Sequence, residues 1–330
     1  MNDRAIYLLE DYDIEVQKTR KGRGCIICET PTGPLTFMEY RGNVNRLPSE
    51  KLLLEQIAAS GKISVDRIFP TKEESLYVTD GDGINYILKS HHEGKECNIK
   101  DRREALEAMG IMARLHQVSF LPKGSFENIG TYSPTLEYQR HNRELRHIFT
   151  YLKKRGQKQY FERRLMETFP VYLEKALEVS SQWEEYESME KGFDPDQGGF
   201  ICHGDFRDHN LLKVDGRWMV VHFEKWIRDS VVRDISLFMR KLLEKNDWSV
   251  SLGRELLGAY EEISPLTAYE YIDLYYRLAY PEKFWKIANF YYNTSKAFIS
   301  ERNLEKLEQV IRLEGQKEAF LEEVFQNIRG

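Results

Sequence analysis

The sequence predicts an α+β fold, with a small antiparallel β lobe over residues 1–94 and a large, mainly helical lobe over residues 95–330. Two observations carry this. Up to residue 90, short apolar runs alternate with turns built on Gly and Pro, the pattern of an antiparallel sheet. Beyond Lys100 the period changes, and apolar residues recur at helical spacing along strongly charged segments. A third observation is one hairpin inside the helical half. Leu211 to Val214 and Trp218 to Val221 are apolar runs around Asp215-Gly216, a dipeptide suited to a two-residue turn.

Composition narrows the class. The 330 residues are 41% hydrophobic and 31% charged, the make-up of a globular protein with a sizeable core. A net charge of -5 argues against general affinity for nucleic acid. The longest apolar runs fall short of the roughly 18 residues a membrane span needs, and the acidic start MNDRAIYLLEDYDIE does not resemble a secretory signal, so cytoplasmic synthesis is expected. Four cysteines are too few and scattered for a disulfide framework. Cys25 and Cys28 form C-x-x-C, but on a strand residues three apart face opposite sides.

In chain order, Ala5 to Tyr12 reads as a short helix and Ile14 to Thr19 as a strand. Lys21-Gly22-Arg23-Gly24 is a turn, and Cys25 to Glu29 and Leu35 to Tyr40 are strands. Ser49 to Ser60 is a helix with Ser49 as N-cap and Gly61 past its end. Ser75 to Asp80 and Ile84 to Lys89 form a second hairpin around Gly81-Asp82-Gly83, running into the polar stretch Ser90 to Lys95. Asp101 to Val118 is an amphipathic helix, and Pro122, Gly124 and Gly130 mark a loop. Helices follow over 135–154, 157–191, 235–243, 252–263, 268–278, 282–299 and 303–326.

The chemistry concentrates between Phe200 and Glu224. His203-Gly204-Asp205 is followed, five residues after the Asp, by Asn210. Phosphoryl transfer uses this spacing: the Asp accepts a proton from the attacking hydroxyl, the Asn ligates magnesium, and a second carboxylate past a strand holds the metal on the phosphates. Protein kinases write the first two as H-R-D-x-x-x-x-N. The plain alternative is that Asp205 caps a turn and His203 is a satisfied core histidine.

With Gly in the middle, the motif resembles the aminoglycoside phosphotransferase and choline kinase branch of the bilobal protein-kinase-like fold. Together with Arg233-Asp234, and with Tyr280-Pro281-Glu282-Lys283-Phe284-Trp285-Lys286 followed by Tyr291-Tyr292-Asn293, the chain resembles the CotS family of bacterial spore coat proteins within that superfamily. The resemblance runs over most of the chain and is strongest from Phe200 onward. It implies a catalytic role for Asp205, with ATP and magnesium as cofactors. It implies nucleotide contacts at the Lys21, Gly22 and Gly24 turn, which otherwise reads as an ordinary turn, and at the hinge residue His92. Magnesium ligands would be Asn210, Glu224 and His222.

Two positions depart from the family. His222 stands where the metal-binding Asp is expected, and Glu224, two residues on, is taken to share its face of the strand. The strand lysine expected near Met38 or Glu39 is absent, leaving Lys21, Arg23 or Lys89 to reach the phosphates in its place. Without that lysine, Glu50 and Glu55 read as solvated charges. Asp234 is a helix N-terminal residue that, in the family, helps hold the catalytic loop; His116 is a packing residue. The expected function is a spore-coat-associated kinase-like protein with weak or absent phosphotransfer. The alternative is an ATP/magnesium-dependent phosphotransferase acting on a small hydroxyl or amine substrate. The resemblance further implies spore coat proteins as partners, and synthesis in the mother cell followed by deposition in the coat.

Overall fold

A computed structural model describes residues 3–122, 132–189, 199–294 and 301–326. The expected features at Gly124, Gly130, Lys191 and Ile299 lie outside these. The chain groups into two compact units: Met1–Thr131 with Pro195–Asp234 and Ala259–Ser264, and Tyr132–Asp194 with Ile235–Gly258 and Pro265–Gly330.

The first unit opens with a 3-10 segment, Asp3–Asp11. The short helix expected over Ala5 to Tyr12 takes the 3-10 form; Ala5, Leu8, Leu9 and Tyr12 are buried, and a spacing of three and four residues does not separate the two helix types. Strands β1 (Lys18–Lys21), β2 (Cys25–Glu29) and β3 (Leu35–Glu39) follow. Helix α1 (Leu47–Ala59) starts two residues before the Ser49 cap read from sequence, because Pro48 suits the first helical turn. Gly61, at φ 65°, takes the left-handed position past its end. Then come β4 (Ser64–Val65), β5 (Ile68–Phe69), β6 (Val78–Thr79), β7 (Asn85–Ser90) and β8 (Lys95–Glu96). The main sheet has the order β1-β2-β3-β7-β5, with β6 also on β7, and every pairing is antiparallel. Phe37 stacks on Tyr86 at 5.3 Å in the core beneath it.

Helix α2 (Arg102–His116) is capped by Asp101, whose side chain accepts from the Arg103 and Glu104 amides. After β9 (Phe120–Leu121), the first unit resumes at β10 (Gly199–Cys202), β11 (Leu211–Val214), β12 (Arg217–Val220) and β13 (Ile227–Arg228). The β11–β12 hairpin closes as its sequence predicts: Asp215 and Gly216 both have positive φ, 49° and 77°, as a type I′ turn requires. It is sheeted between β8 and β4, whose partners are β11 and β12.

The second unit holds α3 (Pro134–Lys154) and α4 (Tyr160–Met189). Helices α5 (Val232–Leu243) and α6 (Val250–Glu261) follow β13 in the chain. The second unit then adds α7 (Ala268–Ala279), α8 (Glu282–Asn293) and α9 (Glu301–Val324). A capping box at Thr267 and Glu270 starts α7. The aromatic-rich stretch after residue 280 is largely core: Tyr280, Phe284 and Tyr291 are buried, and Phe284 stacks on Tyr172 at 4.3 Å. Among the described residues, no helix is long and apolar enough to cross a membrane.

Candidate active site

The loop from His203 to Asn210 is held from below. Asp234, fully buried, accepts the His203 amide at 2.6 Å and the Gly204 amide at 2.9 Å. Its Oδ2 also meets His116 Nε2 at 3.3 Å, and His116 Nδ1 lies 2.9 Å from the Tyr260 hydroxyl. His116, expected as packing, is thus a buried polar link. Burial would raise the Asp234 pKa, but His116, His203 and the Gly204 amide outweigh it and lower it. Gly204 sits at φ 74°, and a Cβ there would collide with the Lys225 carbonyl. His116, Cys202 and Asp234 bring their donor atoms within 4.8 Å of one another. Their hydrogen bonds account for them, Cys202 donating to the Ser230 carbonyl at 3.0 Å.

His203 is structural, and its tautomer follows from its neighbours. Nδ1 receives the Asp205 amide at 3.2 Å, so the proton sits on Nε2 and is donated to the Val221 carbonyl at 3.0 Å. Burial lowers its pKa and keeps it neutral. Asn210 donates from Nδ2 to the Asp205 carbonyl at 2.8 Å, closing the loop. The Asp205 carboxylate, partly exposed, meets Lys225 Nζ at 3.0 Å and the Arg207 guanidinium. Burial works to raise its pKa, but these two cations lower it, so it stays ionised as a weakened base.

The decisive feature lies across the cleft. Lys89, at the end of β7, has a side chain only 2% exposed. Its Nζ is 2.7 Å from Asp66 Oδ2, 3.0 Å from Glu224 Oε1 and 3.9 Å from Glu50 Oε1. β7 lies beside β3, and Lys89 is paired with Thr36, two residues before Met38. Of the three alternatives to the absent strand lysine, Lys89 is the one that enters this buried cluster, from the strand adjacent to β3. Glu50, expected to be solvated, is fully buried; Glu55 pairs with Lys51 on the exposed face of α1. Burial alone would discharge Lys89, but Asp66, Glu224 and Glu50 raise its pKa. Burial pushes Glu50 up to about 7, against the pull of Lys89. Burial also acts to raise Glu224, but Lys89 and His222 hold it well below the usual carboxylate range.

His222 departs from the strand geometry expected of it. β12 ends at Val220, His222 takes a left-handed backbone at φ 66°, and Glu224 lies on a 3-10 turn, Phe223–Lys225. The alternation that would put the two on one strand face is broken. They still meet, with His222 Nδ1 3.7 Å from Glu224 Oε1, and that carboxylate raises the His222 pKa.

The cleft has a volume of about 450 Å³, within the range of small-ligand sites. Asp205, Asn210, Lys89, His92 and His222 all line it. Of the turn between β1 and β2, Arg23 lines it. Lys21 is exposed at the end of β1, and the Gly22 amide is used within the hairpin, donating to the Cys25 carbonyl at 2.9 Å; Gly24 supplies the turn's φ of 75°. His92 shares a 2.8 Å hydrogen bond with the Ser90 hydroxyl. Cys25 faces this cleft while Cys28 is core, as strand alternation requires, and both thiols are free.

This donor set does not fit magnesium, which takes near-octahedral oxygen ligands. The strand-end position offers an imidazole, and the nearby carboxylate is already held by Lys89.

A family model described as spore coat putative kinase YutH matches residues 5–324. The chain belongs to this family. It is 29% identical over 131 residues to spore coat protein S of Bacillus subtilis (strain 168), covering 39% of this chain and 37% of that protein. It is 27% identical over 180 residues to endospore coat-associated protein YutH of the same organism, covering 51% and 49%. The matches thus span about half or less of these relatives. Among solved structures, an aminoglycoside phosphotransferase from Alicyclobacillus acidocaldarius superposes with a TM-score of 0.78 at 18% identity, covering 97% of this chain and 95% of that one. The kinase-like phosphotransferase fold read from the His-Gly-Asp loop is therefore present in this member of a spore coat kinase-like family.

Proposed function

We propose that this chain is a spore-coat-associated, kinase-like protein in which phosphotransfer is weak or absent. The observation that carries this is the state of Lys89. A phosphate-binding lysine must present its charge to the ligand, whereas here the ammonium is buried and bound by Asp66 and Glu224. The imidazole of His222 at the metal-binding position points the same way. Losing one charge-stabilising group from a preorganised site costs about 10²–10³ in rate. In this reading Asp205 and Asn210 keep their places as base and metal ligand without a competent partner in His222 or Glu224. The Gly22 and Gly24 turn and the hinge at His92 offer at most a nucleotide foothold. The names of the two Bacillus relatives support the spore coat as destination; synthesis in the mother cell and coat proteins as partners belong to the same proposal.

One observation favours the alternative, an ATP/magnesium-dependent phosphotransferase for a small hydroxyl or amine compound: the loop clamp of Asp234 and the Asn210–Asp205 bond are intact. ADP release from ATP and magnesium, measured across a panel of small alcohols and amines, separates the two. The expected rate is background, the same for wild type and Asp205→Asn. Turnover above background that Asp205→Asn abolishes would establish the enzyme.

A further inference from the structure

The segment Tyr280 to Phe284 lines a second pocket, which shares no residue with the cleft and lies wholly within the second unit. Arg240 of α5 and Lys317 of α9 stand on its wall, beside the aromatic rings of Tyr172, Trp248 and Phe284. Both cations reach the C-terminus of α7. The Arg240 guanidinium donates to the Arg277 carbonyl at 2.5 Å, and Lys317 Nζ to the Ala279 carbonyl at 2.7 Å and the Tyr280 carbonyl at 3.5 Å. Capping of a helix end explains where they lie. It does not balance their charge.

Arg240 is matched by Glu282. Lys317 is 9% exposed, and among the described residues no carboxylate pairs with it. Each acid on the pocket wall is already taken: Glu244 by Lys283 at 2.7 Å, Glu314 by Lys175 at 2.8 Å, and Glu282 by Arg240 and Lys286. A helix C-terminus offers about half a negative charge against the whole charge of the ammonium. Burial accordingly pushes the Lys317 pKa down to about 8, with Glu314 acting against it. Two donors are also left over. The ammonium has three N–H groups for two carbonyls, and Arg240 Nε is buried without a hydrogen-bond partner. The Trp248 ring, 5.8 Å from Lys317 Nζ, is a weaker partner than an anion. Buried charge and buried donors without partners are costly, and an anion relieves both.

Size and charge set what fits. The pocket has a volume of about 40 Å³, enough for about three waters and too small for a nucleotide or a sugar. The uncompensated charge amounts to that of Lys317 alone. The exposed Gln309 lies on the wall, so the pocket is reached from solvent. We propose that it binds one small monovalent anion, of the size of chloride or formate, held by Lys317 Nζ and Arg240 Nε. Bound there, the ion ties α5 and α9 to the end of α7, and it needs neither nucleotide nor turnover.

The test is thermal melting of the full-length chain in sodium gluconate, an anion too large for the pocket, replaced stepwise by sodium chloride or sodium formate at constant ionic strength. Chlorine-35 NMR line width reports chloride binding directly. The wild-type melting temperature is expected to rise with either anion and to saturate, and formate should reverse the chloride line broadening, as competition for one site requires. Lys317→Met should lose both the saturable rise and the broadening, and its own melting transition shows whether it is folded. Gln309→Glu keeps both cations and sets a carboxylate beside the site from an exposed position, so it should weaken chloride binding even if Lys317→Met does not fold. A response to only one of the two anions would support the site and name its ion. No saturable response to either anion in wild type, or an equal one in Lys317→Met, would overturn the proposal.

Discussion

Lys89→Met is expected to destabilise the chain by about 3–5 kcal/mol at pH 8, the cost of removing one partner from a buried ionic cluster. Methionine keeps most of the volume, so the loss is electrostatic. Asp66, Glu224 and Glu50 would face each other without the ammonium that now lies 2.7 to 3.9 Å from them. The effect depends on pH, with a sign set by Glu50. Its folded pKa, about 7, lies above the ordinary carboxylate value of 4.5. The folded state therefore holds this proton more tightly than the unfolded chain, and ionisation as pH rises through 7 subtracts stability. Removing Lys89 takes away a group that lowers the Glu50 pKa, so the proton is held more tightly still. The penalty should thus shrink as pH falls from 8 to 5.5. Denaturant unfolding at the two pH values measures it; a loss below about 1 kcal/mol at both would mean that the cluster is not held by Lys89.

Asp234→Ala is expected to cost a similar amount, about 3–5 kcal/mol, by a different route. The substitution orphans the buried His203 amide and the partly buried Gly204 amide and removes the acceptor of His116. Each unsatisfied buried donor costs about 1–3 kcal/mol. Asp234→Asn keeps one acceptor oxygen but sets an NH₂ group against a second donor, so it should fall between wild type and Ala. Hydrogen exchange localises the effect: the His203 and Gly204 amides should exchange faster in Asp234→Ala, ahead of the main sheet. Unchanged protection there would show that the loop is held by other contacts.

Local features of this chain were legible from sequence. The Asp215-Gly216 turn is written in two residues that accept positive φ. The Asp205 to Asn210 spacing is a local loop, and it closes by a direct hydrogen bond. What was hidden is the chemistry assembled from distant segments. Lys89 was one of three alternatives, and only the folded sheet, which pairs it with Thr36, brings it among Asp66, Glu224 and Glu50. Asp66, between β4 and β5, carried no sequence signal, and Glu50 could be read as buried only once its lysine was found. His222 and Glu224 misled differently: a residue at φ 66° ends the strand alternation assumed for them, and nothing in Val-His-Phe-Glu announces it.

The central claim is that Lys89 and His222 have closed the metal–phosphate side of this cleft. Calorimetric titration of ATP, with and without magnesium, into wild type and Asn210→Ala tests it most directly. The expected result is no magnesium-dependent binding at millimolar nucleotide, and no difference between the two proteins. Tight binding that requires magnesium and is weakened by Asn210→Ala would contradict it, showing that the residues around Lys89 rearrange into a working metal–nucleotide site.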